Sequence, residues 1–448
     1  MPKVLIVGGG ISGLSAAYYL NKAGVRATLI DPSSELGGVI RTKTDHGCLL
    51  EAGPDSFMAA KPWAMELIRE VGLADQVIGS NDHLRVTYIL KNGRLVPLPD
   101  GLMMMVPTKI MPLVGTRLLS WGTKIRMGLE FLRRPPKSPL PDRSVYDFLL
   151  DHYGQESIDY LAEPLLAGVY GGDPREMSVN SVLGRFVEIE TKYGSLTRGV
   201  LAAPRPKGSG SGGSLFRTLK NGLGQLVEAL KPSADVMQGT VETLERNGSS
   251  FRARVNGDWM EAEHVVVATP GGAAAKLLLP WNGHLGELLQ AVPYTSSVTL
   301  SLGYRKDGFD HPLNGFGFLV PKRERKLMAA CTWVHNKFSY RVPDDMVLLR
   351  CFMGGDALAE TDESLVEKAK AELTRIMGIR AVPVFHSIAR WPNSMAQYTV
   401  GHEKRLREIE ALTAKIPGLY LAGNAYRGIG LPDCVKAGKD AAVKITAS

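Results

Sequence analysis

The first regular pattern along the chain is a continuous apolar run, Val4 to Val7, which stops at Gly8-Gly9-Gly10-Ile11-Ser12-Gly13. Leu14, Ala16, Ala17 and Leu20 then recur at helical spacing, so the segment predicts strand, tight turn and helix. A second apolar run, Arg26 to Ile30, ends at Asp31. Glu51 to Phe57 reads as a loop around Gly53-Pro54, Trp63 to Val71 as a helix, and Leu84 to Leu90 with Arg94 to Leu98 as a hairpin over Lys91-Asn92-Gly93. From Leu102 to Arg134 apolar residues alternate with bases, which predicts a helical region that Val145 to Leu150 and Ser157 to Ala167 continue. Gly208 to Ser214, only Gly and Ser, reads as the most flexible connector.

Beyond it, Lys220 to Gln225 is another glycine turn that opens a helix. Gly239 to Leu244, Phe251 to Val255 and His264 to Pro270 read as strands, the last as a buried parallel one. Ser296 to Tyr304, Gly315 to Val320, Leu327 to Trp333 and Met346 to Met353 make a second strand-rich block, closed by a helix from Glu363 to Met377. A late strand, Gly418 to Asn424, is followed by Pro432-Asp433-Cys434-Val435 opening a helix. This late strand and helix predict that the nucleotide half is assembled from separate pieces of chain.

The chemistry of the first turn follows from its spacing. Gly8 allows the turn, Gly10 lets a pyrophosphate approach the backbone, and Gly13 lets the helix pack against the strand. A diphosphate would meet the free N–H groups at the helix N-terminus. Asp31, eighteen residues after Gly13, lies where a carboxylate accepts bonds from ribose hydroxyls. Gly37, Gly38 and Arg41 extend the glycine-rich backbone and add a guanidinium. This combination resembles the large flavoprotein family that includes monoamine oxidases, phytoene desaturases and protoporphyrinogen oxidases, and it favours FAD over NAD.

Composition narrows the class. With 448 residues and 44% hydrophobic composition the chain has material for two or three domains. No apolar stretch is long enough to span a membrane, and Met1-Pro2-Lys3 runs directly into the first strand without a signal peptide, so the expected address is the cytoplasm. Cys48, Cys331, Cys351 and Cys434 are far apart along the chain, which suits buried or free thiols and predicts no metal. The net charge of +8 favours anionic substrates or surfaces mildly and nucleic acid hardly at all. Between 101 and 150, eight bases face three acids, so +5 of that +8 lies in fifty residues. Two readings stay open for 101–134, with Met103, Met104, Met105 and Trp121 among its bases: a peripheral contact with an anionic membrane face, on the inner side of the membrane, or an ordinary pocket wall.

More specific segments run from end to end. Gly53-Pro54-Asp55-Ser56-Phe57, Glu163-Pro164-Leu165-Leu166-Ala167-Gly168-Val169-Tyr170-Gly171-Gly172-Asp173, Val267-Ala268-Thr269-Pro270, Trp391-Pro392 with Met395-Ala396-Gln397-Tyr398, and Gly428-Ile429-Gly430-Leu431-Pro432-Asp433-Cys434 together make the chain similar to the porphyrinogen oxidase family. That family contains protoporphyrinogen oxidase and the Gram-positive coproporphyrinogen III oxidase. The resemblance implies an α/β fold: an FAD-binding, Rossmann-like, amine-oxidase-like domain with a strand-rich substrate domain and a helical insert. Residues 1–75, 215–275 and 385–448 would form the FAD-binding domain, 76–100 and 276–384 the substrate domain, and 101–207 the insert.

It implies positions too. Gly8, Gly10, Ile11, Ser12 and Gly13 would hold the diphosphate, Asp31 the ribose, Gly37, Gly38 and Arg41 its continuation, and Val241 the adenine. Gly53, Asp55, Ser56, Trp391, Ile429 and Leu431 would surround the isoalloxazine. Hydride would leave a meso carbon of the porphyrinogen for the flavin while a pyrrole N–H gives up its proton, three times over, with O2 reduced to H2O2, so no catalytic side chain is expected. Lys61 is the first candidate for a substrate propionate, and Asp55 the second substrate contact, orienting a pyrrole N–H. A downstream chelatase would receive the product. Two alternatives remain: an amine oxidase or carotenoid desaturase on the same scaffold, and a flavin-free binding protein of the same fold, whose broken phosphate turn is not seen here.

Overall fold

The computed structural model describes residues 3–202, 214–309 and 311–447. The expected connector lies outside the described residues from 208 to 213. Val4–Val7 (β1) leads into Ile11–Lys22 (α1) and Ala27–Asp31 (β2). Thr87–Lys91 (β3) and Arg94–Pro97 (β4) form the predicted hairpin. Ile110–Gly115 (α2), Trp121–Glu130 (α3) and Glu163–Tyr170 (α4) belong to a helical region that also contains Val145–Tyr153 and Val179–Tyr193. Next come Asp235–Gln238 (β5), His264–Val267 (β6), Tyr294–Arg305 (β7), Gly317–Leu319 (β8), Met328–Trp333 (β9), Met346–Gly354 (β10) and Asp362–Met377 (α5). Phe385–Ala396 (β11), Leu419–Leu421 (β12) and Leu431–Thr446 (α6) complete the elements that shape the site.

Five strands form a parallel sheet in the order β5-β2-β1-β6-β12. Val4 to Val7 are buried on both faces, which is why this strand reads as an unbroken apolar run. One face is covered by α1 and α6, which cross closely: a Cβ on Gly438 would lie 2.2 Å from the Ser12 carbonyl oxygen. The sheet therefore draws on the start, middle and end of the described chain.

The second sheet has seven strands, ordered β11-β7-β10-β9-β8-β3-β4 and antiparallel except where β8 meets β3. Val298, Leu300, Phe318, Leu349, Cys351 and Met353 on one face pack with Leu365 and Leu373 of α5. Alternation turns Thr299, Arg350 and Phe352 to the opposite face, toward the cavity described below.

Several details differ from the sequence pattern. Phe385–Ala396 pairs with β7, so the boundary expected at 385 cuts off a strand of the seven-stranded sheet; its polar, Pro-containing sequence hid the strand. Val77–Gly79 pairs with Phe216–Leu219 rather than with the substrate sheet. Leu102–Met103 and Val106–Pro107 form a small antiparallel hairpin with Met104 at φ 55, so helix begins only at Ile110. Pro107 explains the difference, because it cannot continue a helix. Cys331 and Cys351, remote in sequence, lie directly across β9 and β10 with their sulfurs 4.0 Å apart. All four cysteines are buried free thiols.

Candidate active site

The turn after β1 is built from backbone. Gly8, at φ +110, donates its N–H to Ile30 O, and a Cβ there would come within 2.7 Å of Ala268 O. Gly13 packs beneath it, where a Cβ would be 2.0 Å from Gly8 O. Gly10 differs from both. Its φ is an ordinary −70° and its hypothetical Cβ meets nothing within 4 Å, so it faces open space. Gly37 folds back on this turn, its N–H donating 2.8 Å to Gly9 O, and Gly38 comes beside Gly10.

Asp31 ends β2 as expected, and its carboxylate knits the turn together. It accepts from Gly9 N–H at 2.7 Å and from Ser33 N–H at 2.8 Å, each through a different oxygen. Ser12 Oγ donates to the Cys434 carbonyl at 2.9 Å, fastening α1 to α6. Val241 is buried at the start of its strand and borders the same space.

These groups line one end of a continuous cavity of about 2240 Å³ that runs past residues 53–56 to the seven-stranded sheet and α4. Gly8, Gly10, Ile11, Ser12, Asp31, Gly37, Gly38 and Val241 share its wall with Gly53, Asp55, Ser56, Lys61, Trp391, Ile429 and Leu431. Of the residues singled out by sequence, Gly13 and Arg41 stand outside the wall. Gly13 is structural packing, and Arg41 lies 5.6 Å from the Trp391 ring and 3.5 Å from Glu35. An unobstructed glycine facing a long cavity at a helix N-terminus is what a dinucleotide diphosphate needs, so the residues present fit FAD.

The middle of the cavity is ionic. A Cβ on Gly53 would sit 1.9 Å from Val39 O, so only glycine fits there. Trp391 Nε1 donates to Ala52 O at 2.9 Å, and the Arg350 guanidinium donates to Gly53 O. Asp55 is met by Lys337 Nζ at 2.9 and 3.0 Å, by Ser56 Oγ at 2.6 Å, and by Arg350 Nη1 at 3.7 Å. Burial would raise the Asp55 carboxyl, yet Lys337, Arg350 and Arg341 hold it well below the usual carboxylate range. Asp55, expected to orient a pyrrole N–H, therefore stands in the cavity wall as an ion-paired carboxylate.

Lys61 is also engaged. Its Nζ lies 2.6 and 2.7 Å from the two oxygens of Asp433, in the first turn of α6. Sequence reading missed Glu51, Lys337, Arg341 and Arg350. Arg350 alone carried a signal, as a charge inside the apolar run MVLLRCFMG.

At the far end, α4 roofs the seven-stranded sheet, with Gly168 against Leu319. Glu163 accepts from Arg325 at 2.8 Å, and Asp173 from Lys322 at 2.9 Å. The acids that bound the EPLLAGVYGGD segment thus clasp it to the loop after β8.

A largely apolar cavity between a helix and a sheet, opening at one end onto a dinucleotide turn, suits a flavin-dependent oxidoreductase, and the comparisons agree. The model for the flavin containing amine oxidoreductases matches residues 11–446, and the chain belongs to that family. Its cofactor is FAD. Within the family the chain is 34% identical to the coproporphyrinogen III oxidase of Bacillus subtilis (strain 168), with 98% of this chain and 96% of that one covered. It is 30% identical to the coproporphyrinogen III oxidase of Staphylococcus aureus, with 99% of each covered. A crystal structure from Exiguobacterium sp. 255-15, provisionally described as a protoporphyrinogen oxidase, superposes with a TM-score of 0.89 at 32% identity, covering 100% of this chain and 99% of that one. Putrescine oxidase, at 19% identity and a TM-score of 0.71, shares the fold.

Proposed function

We propose that this chain oxidises a porphyrinogen to the porphyrin in heme biosynthesis, with coproporphyrinogen III as the substrate and O2 as the final acceptor. The observation that carries this reading is the apolar slot under α4, continuous with the dinucleotide turn and bordered by Lys61 and the Asp55 cluster. The identities to named coproporphyrinogen III oxidases support the choice of substrate.

Bound FAD supplies the two-electron acceptor for a meso C–H. The chain's own groups bind and orient. The turn at Gly8, Gly10, Ile11 and Ser12 would hold the diphosphate, with Asp31 at the ribose and Val241 at the adenine. Gly53, Ser56, Trp391, Ile429 and Leu431 would frame the ring. Lys61 would exchange its Asp433 partner for a substrate propionate, and the slot would keep water from the reacting carbon while a pyrrole N–H loses its proton. The test is anaerobic mixing of the purified protein with coproporphyrinogen III and, separately, protoporphyrinogen IX, following flavin absorbance. Faster bleaching by coproporphyrinogen III is expected; equal or reversed rates overturn the substrate choice, and no bleaching by either overturns the reaction.

The helical region supports a second element, reversible contact with an anionic membrane surface. Met111 is 77% exposed and Trp121 65%, and Ile110, Ile125, Leu129 and Leu132 are exposed with them, while Lys124 sits 4.6 Å over the Trp121 ring. Met105, by contrast, is 1% exposed and belongs to the core. No helix among the described residues is long and apolar enough to cross a membrane. Cosedimentation with anionic but not neutral vesicles at low salt is expected, reduced by changing Met111 and Trp121 to Ser. Wild type that ignores anionic vesicles leaves the region as plain surface. Contact of this kind would place a poorly soluble product where a chelatase could collect it.

A further inference from the structure

Four charged side chains, Glu51, Lys337, Arg341 and Arg350, lie behind the turn at residues 53–56, more than the Asp55 carboxylate alone requires. Lys337 holds Asp55, Arg350 approaches the same carboxylate at 3.7 Å, and Arg341 lies 3.3 Å from Glu51. Their side chains are 13%, 4% and 1% exposed, so water screens them little. Three cations against two carboxylates leave one positive charge in surplus. The remaining bonds go to neutral oxygens, such as Arg341 Nη2 to Thr218 Oγ1 at 2.7 Å, and Nε of Arg341 and Nε of Arg350 are buried without a partner among the described residues.

The cluster is fixed to the turn through backbone as well. Arg350 donates to Gly53 O, and Arg341 Nη2 donates to Asp55 O at 3.2 Å. Lys337 and Arg341 also sit over the Phe338 ring, at 5.1 and 4.7 Å. A network this deeply buried is a weak way to stabilise a fold, because desolvation offsets most of its attraction. Its position suits electrostatics better. A hydride brings two electrons and one proton, so the acceptor ring gains one unit of negative charge as the donor carbon is oxidised.

We propose that Lys337, backed by Arg350 and Arg341, places a net positive potential on the isoalloxazine and makes its two-electron reduction more favourable, with Asp55 trimming that potential. This rests on the reading that residues 53–56 border the ring. Lys337 is then a positioning and electrostatic residue. Its effect belongs to the bound cofactor and is present without substrate.

The experiment measures the midpoint potential of the purified holoenzyme against reference dyes. Lys337→Met should make reduction about tenfold less favourable, a drop of about 30 mV for a two-electron couple. Lys337→Arg should stay near wild type, and Asp55→Asn should move the potential upward. Shifts below twofold in both Lys337→Met and Asp55→Asn, or shifts of the same sign, overturn the proposal. Where Lys337→Met retains no flavin, Asp55→Asn decides alone: an upward shift supports the proposal, and none or a downward one overturns it. The flavin absorption band of Asp55→Asn separates the two possible failures. A displaced band with an unmoved potential refutes only the electrostatic role, whereas an unmoved band and potential refute the placement of the ring beside the turn.

Discussion

Beside the parallel sheet the cavity wall is main chain: Gly10 faces open space, Gly8 and Gly37 fold tightly against neighbouring backbone, and Asp31 spends its oxygens on holding that main chain in place. Across the cavity, in the seven-stranded sheet, the wall is side chain: Arg350, Phe352, Thr299 and Trp391 project from strands whose backbone is satisfied by ladder bonds. One region is damaged by adding atoms and the other by removing them. The contrast makes opposite substitutions informative at the two ends of one cavity.

The largest effect is expected from adding atoms at the first end. Gly10→Val should fold, because φ is ordinary there and no protein atom lies within 4 Å of the new Cβ. Flavin content should nevertheless drop to roughly a tenth of wild type or less, since two lost contacts to a charged diphosphate remove more than a factor of ten in affinity. Melting temperature and flavin absorbance of the same preparation check this, and full occupancy would break the comparison at its root. Removing atoms elsewhere in the wall comes next. Lys61→Ala should raise KM about tenfold with little change in kcat, as loss of a charged contact equal in ground and transition states would do. A fall in kcat alone would remove Lys61 from substrate binding.

The smallest effect is expected in the helical region, away from the cavity wall. Glu156 accepts from Ser120 Oγ, Thr123 Oγ1 and Lys91 Nζ, tying the start of α3 to its neighbours. Burial would raise its carboxyl, but the bonds from Ser120, Thr123 and Lys91 bring it from an ordinary 4.5 down to about 2. A depressed folded value stabilises above pH 4.5, and that stabilisation is lost as pH falls toward about 2. Glu156→Gln should therefore cost about 1 kcal/mol at neutral pH, measured by urea unfolding, with the gap to wild type closing in acid. Flavin content and KM should not move; if they do, the helical region is coupled to the cavity.

The two ends also differ in how far they could be read from sequence. The constraints on Val4 to Gly13 are local: a strand buried on both faces, a turn, and a helix within ten residues leave a pattern in the sequence itself. Lys337 and Asp55 are 282 residues apart, and nothing near either one announces the other. Arg350 is a charge inside an apolar run, a signal that carries no mark of its partner. Met103 to Met105 misled for a related reason, since an apolar triplet looks alike whether it enters a helix or, as here, a hairpin that sends Met105 inward and Met104 outward. The resemblance in EPLLAGVYGGD pointed to the correct segment, but the clasp formed by Glu163 and Asp173 needed the loop after β8 to be in place.

The close crossing of α1 and α6 sets a timetable for synthesis. Ser12 and Cys434, bonded to one another, are 422 residues apart, so at ribosomal speeds roughly 20–80 s separate their appearance. Until α6 emerges, the first helix has one flank bare and the wall at Ile429 and Leu431 does not exist. The amides at Gly8 to Gly13 are thus made early but wait for the last part of the cavity, and cofactor loading becomes a post-translational event. A nascent chain stalled before residue 431 would expose Ser15, Ala16 and Tyr19, which pack against α6 in the finished fold, to chaperones rather than to a partner helix.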